Sequence, residues 1–117
     1  MSYRQAKRKY EPGGMTEDEL LAGVTDALTL GGWLWTHHRR SDLALTMGHT
    51  GVPDIIAVHP GRRQLLVLEL KTEIGRLDPR QREWIAALLR AGVDARIVRP
   101  DDYDDLVHEL LAYRDVE

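Results

Sequence analysis

The chain has no cysteine among its 117 residues, so disulfide bonds and thiolate metal sites are excluded. It has no apolar run long enough to cross a bilayer, and its N-terminus lacks the apolar stretch of a secretory signal. A basic excess is also missing: the formal net charge is -3, which does not by itself favour nucleic-acid binding. We therefore expect a cytoplasmic protein without a membrane partner, and the net charge leaves its function open.

Several catalytic signatures are absent as well. The sequence contains no phosphate-cradling glycine loop, no GxSxG nucleophile motif and no dinucleotide-binding fingerprint. It has no HExxH motif, and His37 and His38 are adjacent on a predicted strand, where they face opposite sides and cannot hold one ion together. These absences disfavour nucleotide-binding, serine-hydrolase and zinc-enzyme functions.

The charge that is present is unevenly distributed along the chain. Basic residues crowd the first ten positions, and residues 1–14, which end in Pro12-Gly13-Gly14, are predicted to be a solvated basic tail. Residues 15–117 then form a single domain. The aspartates of segment 101–105 precede the last predicted helix, where they suit the positive end of its dipole.

Hydrophobic periodicity predicts the order αβββαβα, an α/β domain with helices on both faces of a mixed central sheet. The third strand is apolar at consecutive positions, so both of its faces should be covered and it should lie inside the sheet. The predicted elements are a helix capped by Thr16 and ending at Gly31, strands 33–38, 54–59 and 64–71, a helix from Asp78 to about Gly92, strand 95–99, and a helix from about Asp102 to Tyr113.

Two carboxylates are predicted to face each other on neighbouring strands. Glu69 and Lys71 point to the same side of their strand, because side chains alternate. If residues 60–63 form a four-residue turn, Asp54 lies directly opposite Glu69, with Cβ atoms about 5 Å apart. Two carboxylates this close repel each other unless a cation lies between them or one is protonated.

This arrangement is typical of a magnesium site. Two carboxylates, the main-chain carbonyl of Leu70 and waters provide the oxygen ligands that Mg²⁺ prefers, with Mn²⁺ as a substitute. Such an ion would acidify a water and bind a phosphate oxygen, while Lys71 holds or deprotonates that water or stabilises charge on the phosphorus. The alternative is a structural Asp–Lys–Glu salt-bridge cluster at a strand end.

Glu17 and Gln81 are polar residues on the apolar stripes of two predicted helices. Each lies in a first helical turn, where polar residues are common, so solvent exposure explains either one alone equally well. Together they could complete a polar pocket over Asp54, Glu69 and Lys71.

The motifs Gly-x-Pro-Asp, Glu-x-Lys and Gln-x-x-Trp follow one another at Gly51–Asp54, Glu69–Lys71 and Gln81–Trp84, and the segment AGVDARIVRP comes after them. In this combination the chain resembles the virus-type replication-repair nuclease (VRR-NUC) family of the PD-(D/E)xK superfamily, over about residues 16–108. The resemblance implies a restriction-endonuclease-like core of order αβββαβ, here followed by a C-terminal helix.

The resemblance also implies roles for the site residues. Asp54 and Glu69 would bind the metal, Lys71 would assist the attacking water, and Gln81 would border the active site. The first-helix glutamate of the family falls on Glu17 or Glu19. The apolar stripe chooses Glu17 as a metal and catalytic residue, since Glu19 has a capping role.

The function implied is a metal-dependent DNA endonuclease similar to the Holliday-junction resolvases of phages and bacteria, acting on branched DNA as a homodimer. Two loop pairs are candidates for phosphate contact, with solvated surface as an equal alternative: Arg39, Arg40, Arg62 and Arg63. The rival interpretation is a non-catalytic nucleic-acid-binding or assembly module that keeps the fold. Such a module has no need to retain Asp54, Glu69 and Lys71 together.

Overall fold

The structure is a computed structural model that describes residues 14–38 and 47–112, and within them three α-helices and four strands follow one another in the predicted order. The predicted basic tail up to residue 13, and Arg39 and Arg40, lie outside the described residues. The elements are α1 (Glu17–Leu30), β1 (Leu34–His37), β2 (Ile55–His59), β3 (Gln64–Leu70), α2 (Pro79–Arg90), β4 (Asp94–Val98), a 3₁₀ turn (Pro100–Asp102) and α3 (Tyr103–Leu111).

The strands form one mixed sheet of order β1-β2-β3-β4. β1, β2 and β3 are antiparallel neighbours, and β4 runs parallel to β3. His59 pairs with Gln64, so the connection between β2 and β3 has the predicted four residues. The prediction that β3 lies inside the sheet is confirmed. Its parallel partner β4 is reached through α2, since parallel strands need a crossover connection that is usually a helix.

Side chains at the helix N-termini explain where the first two helices begin. Thr16 and Glu19 form the predicted capping box of α1. Asp78 caps α2 and accepts from the amides of Arg80 and Gln81, while Pro79 occupies the first turn, where its missing amide is not needed. Within the described parts of the chain, no helix has both the length and the apolar character of a membrane span.

The end of the chain differs from the prediction in detail. α3 begins at Tyr103 after a 3₁₀ turn, one residue after the predicted start, and ends at Leu111; the predicted end at Tyr113 lies outside the described residues. The cause is local, because Pro100 starts the turn and the Asp102 carboxylate accepts the Arg99 amide at 2.9 Å. Asp104 and Asp105 occupy the first turn of α3, as expected from the helix dipole.

The sheet is covered on both faces, and the alternation of β3 assigns its side chains to one face or the other. Leu66, Leu68 and Leu70 pack into the larger core beneath α1 and α3. Val67 packs with Ile85 of α2 on the opposite face. Glu69 and Lys71 have the same parity as Val67, so β3 delivers both polar side chains to the α2 face.

Candidate active site

Asp54 and Glu69 lie opposite each other at one end of the β2–β3 hairpin. Ile55 pairs with Leu68, and the next step of this register places Asp54 across from Glu69. The Asp54 carboxylate accepts the amide of Leu70 at 2.9 Å, and the Asp54 carbonyl accepts the amide of His38 at 2.7 Å. Asp54 is therefore held on both sides, by β3 through its side chain and by the β1 edge through its backbone.

Glu69 is the electrostatic centre of the site. It is 2% exposed. Burial raises its pKa to about 8, and the charge of Asp54 adds to the rise, whereas Lys71 opposes it. Glu69 therefore tends to keep a proton at neutral pH, and a cation that binds between the carboxylates would take the place of that proton.

One oxygen of Glu69 is fully engaged and the other is not. Oε2 accepts from Gln81 Nε2 at 3.1 Å and lies 3.7 Å from the ammonium of Lys71, which is itself 5% exposed. Oε1 is buried and accepts no hydrogen bond from a described donor, although the side chains of Glu69 and Asp54 are close enough to share a hydrogen bond when one of them is protonated. An unsatisfied buried carboxylate oxygen is costly, and such groups in native proteins often mark an ion or a catalytic role.

The donor set fits a hard divalent cation. Asp54 and Glu69 offer carboxylate oxygens. The N–H and C=O of one strand residue point the same way, so the carbonyl of Leu70 is directed with its amide towards the Asp54 side. Residues 14–38 and 47–112 contain no group of three or more His, Cys, Asp or Glu arranged to hold a metal. Two carboxylates and a carbonyl, completed by waters, nevertheless match the way proteins commonly bind Mg²⁺.

Gln81 fixes the orientation of Glu69. Its Oε1 accepts the amide of Asp78 at 3.1 Å in the capping box of α2, so its Nε2 is left to donate to Glu69. The structure thus brings the predicted residue Gln81 into direct contact with the carboxylate pair. The same side chain caps the helix and orients the site.

The two glutamates of the first helix are in different situations. Glu19 accepts the amide of Thr16 at 3.0 Å and completes the capping box. Glu17 is exposed, and its charge makes the smallest of the contributions that raise the pKa of Glu69. The start of α1 therefore lies within electrostatic range of the pair, while Glu17 is not clustered with it.

Sequence analysis missed a clasp between α2 and the segment that carries Asp54. Trp84 Nε1 donates to the Thr50 carbonyl at 3.0 Å, and the Arg80 guanidinium donates to Thr50 Oγ1 at 2.8 Å. Gly51 has φ +95°, and a Cβ there would meet the Arg80 carbonyl carbon at 2.8 Å. The Gln-x-x-Trp spacing places Gln81 and Trp84 on one face of α2, but it does not specify the bond from Trp84 to Thr50, which lies 34 positions away.

The predicted arginine contacts are not brought to the carboxylates. Arg62 and Arg63 lie in the turn at the far end of β2, roughly 17 Å along the strand from Asp54. Arg62 stacks over Trp33 at 5.0 Å and donates to the carbonyl of Glu109 at 2.9 Å. Arg39 and Arg40 lie outside the described residues.

Two exposed arginines that the sequence does not single out lie at the start of α2. Arg76 and Arg80 lie on either side of Asp78, and both are exposed. Arg80 directly precedes Gln81, which contacts Glu69, so the helix end that carries both arginines borders the site.

The mixed four-stranded sheet has flanking helices and carries the carboxylates of Asp54 and Glu69 at the end of its central hairpin. Together, this sheet and these carboxylates define a nuclease-fold domain. The VRR-NUC domain family model matches residues 36–102, more than half of the chain. The chain belongs to the VRR-NUC family, as the sequence motifs indicated. A solved structure described as a VRR_NUC domain shares the fold, with a TM-score of 0.65 and 20% identity, covering 79% of this chain and 94% of its own. No curated protein matches the chain.

Proposed function

We propose that this protein is a divalent-metal-dependent endonuclease that hydrolyses phosphodiester bonds of DNA. The observation that carries the proposal is the unpartnered, buried Oε1 of Glu69, which faces no described hydrogen-bond donor although Asp54, Lys71 and Gln81 surround this carboxylate. A purely structural salt-bridge cluster gains nothing from an unsatisfied oxygen or from a second carboxylate beside the first.

The chain's own residues divide the catalytic work. Asp54, Glu69 and the Leu70 carbonyl would hold the ion, which would supply an acidified water and polarise a phosphate oxygen. Lys71 projects from the same strand end as Glu69, where its ammonium orients the attacking water and balances the negative charge that builds on the phosphate. Gln81 keeps Glu69 in the orientation that presents Oε1.

The finer part of the proposal concerns the substrate and the assembly. One chain provides one site, and a four-way DNA junction needs two symmetric cuts, which a two-fold homodimer supplies. Exposed Arg76 and Arg80 beside the site are suited to bind backbone phosphates. We therefore favour branched DNA as the substrate, Mg²⁺ as the cofactor with Mn²⁺ as a substitute, and a homodimer as the active form.

The deciding experiment is a cleavage panel of four-way junction, flap, splayed arm, linear duplex and single strand, each with Mg²⁺, with Mn²⁺ and with EDTA. Wild type should cleave only with metal, and Glu69→Gln should be inactive. Glu109→Gln is the matched control, because it removes a carboxylate that pairs with Arg96 away from the site. Full activity in EDTA, or in Glu69→Gln, would contradict the proposal.

A non-catalytic nucleic-acid-binding module is the second candidate. It is favoured by one observation: the described residues provide two clustered carboxylates and no third ligand side chain. Such a module would bind the same DNA panel without cutting it, and its affinity would be the same in Mg²⁺ and in EDTA at matched ionic strength.

A further inference from the structure

Arg99 holds the turn Thr72–Gly75, which follows β3 and Lys71. It is half-buried directly after β4, and its Nη1 donates to the carbonyls of Thr72 at 2.6 Å and Gly75 at 2.7 Å. The turn is closed by the amide of Gly75, which donates to the Thr72 carbonyl at 3.3 Å. A single guanidinium thus fixes both ends of a four-residue turn, through carbonyls that no regular secondary structure uses.

This turn lies beside the side chain of Lys71. A Cβ placed on Gly75 would lie 3.6 Å from Lys71 Cδ and 2.9 Å from Thr72 Oγ1, so the backbone of Gly75 faces the aliphatic stem of the lysine at a distance that a methyl group would bridge. The Lys71 amide donates to the carbonyl of Val98 at 3.0 Å, one residue before Arg99. The end of β4 therefore acts on Lys71 in two ways, through a hydrogen bond to its backbone and through the turn that Arg99 holds beside its side chain.

We propose that Arg99 is a positioning residue for Lys71: by pinning the Thr72–Gly75 turn it confines the lysine stem and keeps the ammonium beside Glu69. Lysine has a long flexible side chain. The Lys71 ammonium lies 3.7 Å from Glu69 Oε2, and a neighbouring turn that restricts the aliphatic stem would help to keep it there. Both hydrogen bonds come from one guanidinium nitrogen, Nη1, so the single ammonium of a lysine at position 99 could make part of the same contacts.

The catalytic consequence rests on the proposed nuclease function, whereas the confinement of Lys71 does not. The first test measures cleavage at saturating DNA and metal. Arg99→Gln should lower kcat by about tenfold to a hundredfold, the scale of a misplaced catalytic group, with KM for DNA unchanged. Arg99→Lys should recover part of the loss.

Arg96→Gln is the matched control. Arg96 lies on β4 itself, is also half-buried, and uses its guanidinium on Asp94 and Glu109, away from the turn. It should lose stability and keep kcat. An equal fall in kcat for Arg96→Gln and Arg99→Gln would show a general effect of destabilisation and would overturn the positioning role.

The second test needs no enzymatic activity. The chain has three lysines, Lys7, Lys9 and Lys71, so acylation by a small amine reagent can be assigned to Lys71 by peptide mass spectrometry. Its side chain is 7% exposed, and labelling should be slow in wild type and in Arg96→Gln but several-fold faster in Arg99→Gln. Unchanged Lys71 labelling in Arg99→Gln would overturn the inference. Faster labelling in a chain that cuts no DNA would retain the confinement and refute only the nuclease function.

Discussion

At the residue scale, the buried carboxyl of Glu69 lowers the stability of the metal-free fold. Its carboxyl is buried beside Asp54, one oxygen lacks a hydrogen bond from any described residue, and its pKa is raised to about 8. Lys71 offsets only part of this penalty, because burial and the charge of Asp54 each raise the pKa of Glu69 more than Lys71 lowers it. A buried carboxyl that destabilises the fold and leaves one oxygen without a hydrogen-bond donor is better explained by function than by packing.

Glu69→Gln should therefore stabilise the metal-free protein. The amide keeps the shape of the side chain and can still accept from Gln81, but it removes the repulsion with Asp54. We expect the gain to be absent below about pH 4.5 and to grow as pH rises to about 8, because the penalty of ionising Glu69 builds up between its unfolded and native pKa values. Urea unfolding in EDTA measures it. Glu109→Gln should shift stability in the opposite direction, since Glu109 is paired with Arg96; a loss in both variants would contradict this account.

The two first-helix glutamates are predicted to have separable effects. Glu19→Ala should lower the free energy of unfolding by about 0.5–2 kcal/mol and spare cleavage, because Glu19 completes the cap of α1. Glu17→Gln should lower cleavage with little change in stability, since Glu17 is exposed and acts on the site through its charge. Thermal melts and rates on the same substrate test both, and a reversed pattern would return the site role to Glu19.

At the element scale, α2 is the part that assembles the site. Its first turn orients Glu69 through Gln81, and its second turn holds the Thr50 carbonyl through Trp84. Asp54 arrives on the segment that follows Thr50, so one helix aligns both carboxylates. The N-terminal cap at Asp78 is therefore a requirement for the site as well as for the helix.

Trp84→Phe tests this alignment, because it keeps an aromatic ring and removes the donor to Thr50, together with the second ring of the indole. It should lower the free energy of unfolding by about 0.5–1.5 kcal/mol, the usual value of one hydrogen bond, and reduce cleavage several-fold. Trp35→Phe is the matched control, since its Nε1 donates to Thr29 Oγ1 at 3.0 Å, away from α2. Equal activity in the two variants would show that the clasp does not position Asp54.

Whether an interaction can be predicted from the sequence depends on how many residues separate its two partners along the chain. The caps at Thr16 and Asp78 depend on residues three apart, and the pairing of Asp54 with Glu69 depends on one turn length. The hydrogen bonds of Trp84 to Thr50 and of Arg99 to Thr72 join residues 34 and 27 positions apart through irregular segments. No local pattern specifies such loop contacts, so only the folded chain reveals them.

At the scale of the whole molecule, one ion-pair cluster ties the last helix to the sheet. Arg96 on β4 contacts Asp94 at 2.8 Å and Glu109 of α3 at 2.7 Å. Hydrogen bonds from Arg96 lower the pKa of both carboxyls, which are partly exposed, so each contributes a modest stability.

The cluster predicts how stability responds to acid. A carboxyl with a lowered native pKa stabilises the fold above its unfolded value, here 3.8 for Asp94 and 4.5 for Glu109, and that contribution is lost as pH falls through the native pKa. Arg96→Gln should therefore lower stability at pH 7, by about 1 kcal/mol or less per pair, and narrow its difference from wild type below about pH 4. Urea midpoints measured from acid to neutral pH test this, and a difference independent of pH would exclude the ionic contribution.

The net charge of -3 opposes binding of the chain to DNA, which is a polyanion. Affinity must come from a local basic surface, and the exposed pair Arg76 and Arg80 lies at the start of α2, the helix end that carries Gln81. Removing one arginine that binds a phosphate should reduce the slope of log affinity against log salt by about 0.9. Arg76→Gln should show this reduction on a four-way junction, measured with metal-free protein so that no cleavage intervenes. Arg90→Gln, an exposed arginine at the opposite end of α2, should leave the slope unchanged. Equal slopes for wild type and both variants would show that the DNA-binding surface lies elsewhere on the protein.

Light scattering of the same samples gives the assembly state, and a homodimer should make paired incisions on a labelled junction once metal is added. A monomer that cuts linear duplex as well as the junction would contradict the resolvase assignment and leave the nuclease assignment intact.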